Sequence, residues 1–237
     1  MLRIRLINPL TDAALVEEFH RRQQDCYAAF SVERAAKKVH TKQERKVYFV
    51  IAETLSGEMV GGARFHVRGA TEPLPIERAL PNDSRIHEAM MARQAGGVAE
   101  YAGLWAVPEG RGTGLSAVLI STTVAASALF GVRCGLGFTH HHLIFWTPLG
   151  FQIDDELGFF AYPDPRYQSY VLWIDPMSLS AASPAHRHGI SMIQAALRRT
   201  NSILWDPEIG GEFDTQLRPD ERPPFSVNVH PSVALPY

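Results

Sequence analysis

The residues 107–116, Val-Pro-Glu-Gly-Arg-Gly-Thr-Gly-Leu-Ser, set Gly110, Gly112 and Gly114 around the single cation Arg111, between an apolar run and a stretch rich in Ala, Ser and Leu. A strand, a glycine turn and a helix in that order form an anion-binding arrangement. The first N–H groups of a helix have no intrahelical partner, and the helix dipole puts partial positive charge there. Glycine lets a phosphate approach the backbone with no β-carbon in the way, and a guanidinium adds a forked charged donor. The stretch has neither the GK[ST] ending of a P-loop nor the GxGxxG spacing of a dinucleotide fingerprint. The plain alternative is a glycine turn that merely opens a helix.

Other residues stand out by type. His140, His141 and His142 are adjacent, and consecutive helical residues point in different directions, so no metal site is expected of them. One of the three facing an acceptor pocket is the reading with more chemistry in it. His66 reads as a satisfied core histidine, and His186 and His188 as surface residues. Cys26 and Cys134 are too few for a disulfide framework, so a reducing, cytoplasmic setting is expected, with Cys134 as a small core residue.

The elements that must position these residues follow from periodicity. Residues 3–7 read as a strand and 11–29 as a helix with Leu15, Phe19, Cys26 and Phe30 on its apolar side, capped by Thr11 or Asp12. Residues 35–45 read as a basic exposed helix, with Lys37, Lys38, Lys42, Arg45 and Lys46 nearby. Residues 48–53 and 59–67 form a hairpin around the turn at 54–58. A long connection at 68–97, weakly helical at 84–94, leads to a strand at 98–107, where Gly103 marks a bulge or a close backbone approach. A helix at 114–130, a strand at 132–139, a short helix, a strand at 152–162 broken at Gly158 and a strand at 167–175 complete the pattern. From Pro176 onward a helix at 185–199 precedes a proline-rich tail. This gives a domain at 1–175 and an extension at 176–237 that packs on the domain or on a second subunit, making a homodimer. The 237 residues carry a net charge of −2, which speaks against nucleic-acid binding through bulk positive charge, and no apolar run approaches a membrane span.

Val107-Pro108-Glu109-Gly110-Arg111-Gly112-Thr113-Gly114 resembles the acyl-donor motif of the GCN5-related N-acetyltransferase (GNAT) superfamily, Val-x-Pro-x-x-Arg-Gly-x-Gly. Phe145-Trp146-Thr147-Pro148-Leu149-Gly150-Phe151 is similar to that superfamily's second motif. With the element order from Arg3 to Asp175, the resemblance covers about three quarters of the chain. It implies an α/β (α+β) fold: a mixed twisted sheet of six to seven strands with flanking helices and a V-shaped splay between strands 98–107 and 132–139. It also implies that Val107, Arg111, Gly112, Thr113, Gly114 and Leu115 bind the phosphates of acyl-CoA or of acyl-phosphopantetheine. These are co-substrates; no permanently bound cofactor is implied.

Within the superfamily, Gly61-Gly62-Ala63-Arg64, Leu74-Pro75-Ile76-Glu77 and the strand opened by Glu100 look like the acyl-homoserine-lactone synthases and the related N-acyl amino acid synthases. The lactone synthases carry Glu-x-x-Arg where this chain has Glu100 and Gly103, and an acidic cluster where it has Lys42 and Lys46. The second branch, or an acyltransferase with another amine, fits better. The resemblance implies acyl transfer from acyl carrier protein or acyl-CoA to a small-molecule primary amine. Glu100 would be the base, directly or through a water, the alternatives being a solvent-facing strand residue or the buried partner of Arg64, and backbone amides of Ala102 to Trp105 would polarise the thioester carbonyl. Trp146 stands nearest the position where many members carry a tyrosine that protonates the leaving thiolate. An acetyl-CoA-dependent small-molecule acetyltransferase and a non-catalytic acyl-thioester-binding domain are the alternatives.

Overall fold

The structure is a computed structural model that describes residues 1–29, 46–70, 72–110, 112–140 and 143–206. The basic segment expected as a helix at 35–45, Arg111, His141, His142 and the tail from 207 lie outside the described residues.

Runs rich in β-branched, aromatic and other apolar residues build the strands β1 (Leu2–Ile7), β2 (Val47–Thr54), β3 (Met59–Val67) and β4 (Val98–Ala106). They are followed by β5 (Cys134–Thr139), β6 (Gln152–Ile153), β7 (Phe159–Ala161), β8 (Gln168–Ile174) and β9 (Ser202–Trp205). They form one nine-stranded sheet in the order β6-β8-β5-β4-β3-β2-β1-β9, with β7 also paired to β8. Every pairing is antiparallel except that of β4 with β5. The count exceeds the six or seven strands expected for two reasons. The segment broken at Gly158 becomes two short strands on β8, and β9, inside the segment read as an extension, pairs with β1 from Leu2↔Trp205 to Arg5↔Ser202.

The helices are α1 (Ala13–Ala28), α2 (Pro75–Ala79), α3 (Ser84–Arg93), α4 (Leu115–Leu129), α5 (Leu143–Trp146) and α6 (Pro184–Leu197). The weakly helical connection thus holds two helices. Asp12 occupies the N-cap position of α1 without a side-chain capping bond; its carboxylate accepts from the Asn8 N–H and the Thr11 hydroxyl instead.

α4 carries the parallel crossover from β4 to β5 and lies between the sheet and α6. It is buried at every position from Ala117 to Ala128, which is why its sequence is apolar or small all round. Three of its hydroxyls are satisfied locally: Thr122 Oγ1 donates to Val118 O, Thr123 Oγ1 to Ile120 O and Ser127 Oγ to Val124 O. On the opposite sheet face α1 buries Val16 and Phe19 against Phe49, Ile51 and Trp105. Beside it, α2 and α3 bury Ile76, Ile86 and Met90 against Val98, Leu136 and Val171. Gly61 and Gly62 mark the closest approaches of the two layers to β3. A methyl group at Gly61 would lie 3.2 Å from the side chains of Leu115 and Leu119 of α4; one at Gly62 would lie 2.5 Å from the Phe19 ring of α1.

Candidate active site

β4 and β5 run parallel from Val98↔Cys134 to Tyr101↔Gly137, and there the pairing stops. β4 continues to Ala106 on β3, and β5 continues to Thr139 on β8. Each strand follows its antiparallel partner, and a wedge opens between them. The β3–β4 register shows why β4 departs. Gly62 faces Trp105, but Arg64 faces Ala102, so two steps on β3 match three on β4. The extra residue is accommodated at Gly103, whose φ of +66° belongs to the left-handed region that favours glycine.

Glu100 stands one residue before the last paired position, opposite His66 on β3. It is buried, and among the described residues its one hydrogen bond comes from the Ile76 N–H, 2.8 Å from Oε2. Ile76 lies in the first turn of α2, where N–H groups lack intrahelical partners, and Pro75 suits the position before it. The helix is anchored a second time by Glu77, which accepts from the Leu74 N–H at 2.8 Å and pairs with Arg68 at 2.9 Å. Burial pushes the Glu100 carboxyl up to about 7, against the opposing pull of the Ile76 N–H and the Arg64 charge. A carboxyl held there exchanges its proton near neutrality.

Arg64 is also buried on this face, and its Nε–H donates to His66 Nε2 at 3.1 Å. His66 is thus a core histidine with a partner, as its surroundings in the sequence suggest. Arg64 and Glu100 interact through charge rather than by a direct hydrogen bond. The Arg64 guanidinium lies close against the bulge: a methyl group at Gly103 would come within 3.3 Å of it and 2.8 Å of Gln23 Nε2.

Sequence reasoning did not single out the part of α1 that completes this cluster. Gln23 Nε2 donates to Gly103 O at 2.8 Å, and the Tyr27 hydroxyl donates to Leu104 O at 2.9 Å. Cys26 Sγ lies 3.8 Å from Ala106 O. Burial raises the Tyr27 phenol above its usual range, so it stays protonated. The available signal was two polar residues, Gln23 and Tyr27, continuing at i, i+4 the face that buries Val16 and Phe19.

On the far side of the wedge, Gly114 caps α4 in a left-handed conformation at φ +83° and Gly112 precedes it at +73°. Val118 N–H is bonded to Gly114 O at 3.1 Å, so the amides of Leu115, Ser116 and Ala117 come before the intrahelical series. Thr113 Oγ1 closes the turn on Gly110 O at 2.8 Å, and Val107 N–H ties it to Val60 O at 2.9 Å. Of the expected donor-binding residues, Gly112 is exposed, Val107, Thr113 and Gly114 are half-buried, and the Leu115 side chain is buried.

Other expectations fall elsewhere. The Trp105 ring packs under α1 against Phe19 at 5.8 Å. Trp146 is buried against Phe145 and Phe151, with ring centroids 5.2 and 4.9 Å away, and an indole there supplies no acidic proton. Phe159 is exposed and Phe160 buried under α3. His140, half-buried at the end of β5, packs its ring on Tyr167 at 4.3 Å. His186 is not a surface residue: it is buried at the start of α6, 2.7 Å from Ser183 Oγ, and burial lowers its pKa to about 4.

No protein-family model matches the chain, and no curated protein matches it. Solved structures do. FeeM, an N-acyl amino acid synthase from uncultured soil microbes, superposes with a TM-score of 0.56 at 10% identity, over 79% of this chain and 98% of its own. MesI, a CoA-dependent acyl-homoserine lactone synthase, gives 0.57 at 17% identity, over 81% and 95%. BjaI, another CoA-dependent acyl-homoserine lactone synthase, solved with SAM and isopentyl-CoA, gives 0.55 at 14%, over 82% and 89%. At such identities the likeness is one of fold.

Proposed function

We propose, on the premise that the chain carries the GNAT fold, that it is an N-acyltransferase moving an acyl group from a thioester donor to a primary amine, an amino acid being the favoured acceptor class. The observation that carries this reading is the wedge between β4 and β5, with a buried carboxyl pushed to about 7 at its apex and the glycine-lined start of α4 at its side. The likeness to FeeM, an N-acyl amino acid synthase, and to MesI and BjaI, CoA-dependent acyl-homoserine lactone synthases, supports it.

In this reading the amides at 112–115 and Arg111 hold the phosphates of the donor, and the pantetheine arm lies in the wedge along the open edge of β4. The amine nitrogen attacks the thioester carbonyl carbon and forms the C–N bond. Glu100, directly or through a water, accepts the ammonium proton. Main-chain N–H groups at the Gly103 bulge stabilise the oxyanion, and collapse breaks the C–S bond. Trp146 offers no proton, so the thiolate leaves as such; with a pKa of about 8.5 it is a tolerable leaving group. Holding both reactants in one cleft supplies much of the acceleration. An acyl carrier protein in the cytoplasm is the favoured donor and acyl-CoA the alternative, with acetyl-CoA as its shortest case.

The test is direct. The purified chain is incubated with a panel of amino acids and with acyl-CoA or acyl carrier protein of several chain lengths, and the amide is followed by mass spectrometry. Amide formation with a preferred chain length is expected. Absence of product with every pair, despite donor binding, would convert the reading to a thioester-binding domain. Arg111→Glu is expected to weaken donor affinity at least about tenfold while the melting temperature stays within a few degrees.

A further inference from the structure

Leu104 is the residue whose main chain the wedge exposes, and two side chains of α1 hold the peptide units on either side of it. Val107 N–H bonds Val60 O at 2.9 Å across the β3–β4 ladder. In an antiparallel ladder, main-chain groups of alternate residues turn to opposite edges. Val107 and Trp105 therefore face β3, while Leu104 and Ala106 face the edge that β5 has left. This singles out Leu104 among the amides of Ala102 to Trp105 as the donor facing the open side.

A peptide unit is planar and trans, so fixing its carbonyl fixes the opposed N–H. Gln23 bonds Gly103 O, on the same unit as the Leu104 N–H, and Tyr27 bonds Leu104 O, on the following unit. Gly103 sits at φ +66°, a conformation with few steric constraints of its own, and the space beside it is filled by Gln23 Nε2 and the Arg64 guanidinium. The bulge is thus held from α1 rather than by ladder bonds to β5. Both side chains lie on one face of α1, and the helix itself is seated by Phe19 against Phe49 and Trp105.

We infer that Gln23 and Tyr27 are positioning residues that lock the two peptide units flanking Leu104, and so aim the Leu104 N–H at the thioester carbonyl oxygen in the wedge. The inference rests on the acyltransferase reading above. Each side chain bonds a main-chain carbonyl and acts through the backbone. An N–H already aimed at the developing oxyanion needs no reorganisation during the reaction, which is the condition under which such a donor accelerates it most.

The experiment uses the full chain with Tyr27→Phe, which keeps the ring, and Gln23→Met, which keeps the length and removes the donor. Tyr101→Phe, which deletes a hydroxyl on the opposite sheet face, is the control. First, amide hydrogen exchange at 103–106 in the donor-free protein is expected to speed up about tenfold in both variants and not in the control. Second, kcat for amide formation is expected to fall about tenfold to a hundredfold, with KM and the Kd for CoA within about twofold. Third, the infrared carbonyl stretch of bound [1-13C]octanoyl-CoA, red-shifted in the parent chain, is expected to return toward its free value.

Unchanged exchange at 103–106 overturns the inference, as does an unchanged kcat. A loss confined to KM and Kd also overturns it, because that pattern belongs to a merely structural role. If one variant fails to fold, the other carries the same three readouts. A parent chain that binds no CoA and acylates no amine defeats the acyltransferase reading and the catalytic part of this inference with it. The exchange measurement tells that failure apart from a bulge that α1 does not hold.

Discussion

Glu100 and Tyr101 are neighbours on β4, both buried, and they point to opposite faces of the sheet. Tyr101 turns toward α4, where its hydroxyl meets Ser127 Oγ at 2.8 Å inside an apolar layer made by α4 and α6. Glu100 turns toward α1 and α2, where the surroundings include Arg64, His66 and the first turn of α2. Burial raises both acids, the phenol far out of the physiological range and the carboxyl to about 7. The same desolvation therefore makes one group inert and poises the other. One face of the sheet is packed by α4 and α6; on the other stands the carboxyl that the proposed function takes as its base.

The strongest break of this comparison is truncation after Asp175. It removes α6, which covers α4, and β9, which covers the edge of β1. Loss of that much core exceeds the roughly 5–15 kcal/mol that hold an ordinary domain. No cooperative unfolding transition and no near-ultraviolet circular dichroism are expected. A truncated chain that melts cooperatively would separate the α6 layer from the fold.

Glu100→Gln sharpens the comparison from the other face. As the proposed base, its loss is expected to lower turnover about 10²- to 10⁴-fold with donor affinity nearly unchanged. The rising limb of kcat/KM near pH 7 in the parent chain should vanish. The stability effect has the opposite sign. The folded pKa lies above the unfolded one, so between pH 4.5 and about 7 the native state keeps a proton that the unfolded state has lost. Stability due to this group is full below pH 4.5 and falls as pH rises through 7. The variant should therefore match the parent near pH 4 and exceed it at pH 8 by on the order of 3 kcal/mol, read from denaturant midpoints. Equal stabilities at both pH values would show that the carboxyl is not held protonated.

The smallest expected effect belongs to Tyr101→Phe. It removes the bond to Ser127, which keeps its own acceptor at Val124 O. A loss of about 1 kcal/mol is expected from thermal or chemical melting, with turnover unchanged. A tenfold change in turnover would mean that the two faces are not independent.

Much of the framework could be read from sequence because it rests on local patterns. The hairpin of β2 and β3, the bulge at Gly103 and the glycine turn before α4 all follow from residue types that permit few conformations. Glu100 and Arg64 stood out only through the resemblance of their strands to those of the acyl-homoserine-lactone and N-acyl amino acid synthases, not through a local pattern. Gln23 and Tyr27 did not stand out, since their partners are main-chain carbonyls on β4, about 80 residues away, and a carbonyl leaves no trace in the residue alphabet. His186 was misread because a histidine near a helix start is ordinary on a surface; only the packing of α6 buries it. β9 was missed because a four-residue strand between a helix and a proline-rich tail carries too little pattern to declare a partner.

That last strand has a consequence for how the chain reaches this shape. Leu2 ends beside Trp205, so the outer edge of β1 waits for a partner made roughly 200 residues later. During translation β1 can join β2 early but offers bare main-chain donors and acceptors on its other side. Arrest of synthesis before residue 205 should leave a nascent chain that engages holdase chaperones, and release past it should let the sheet close.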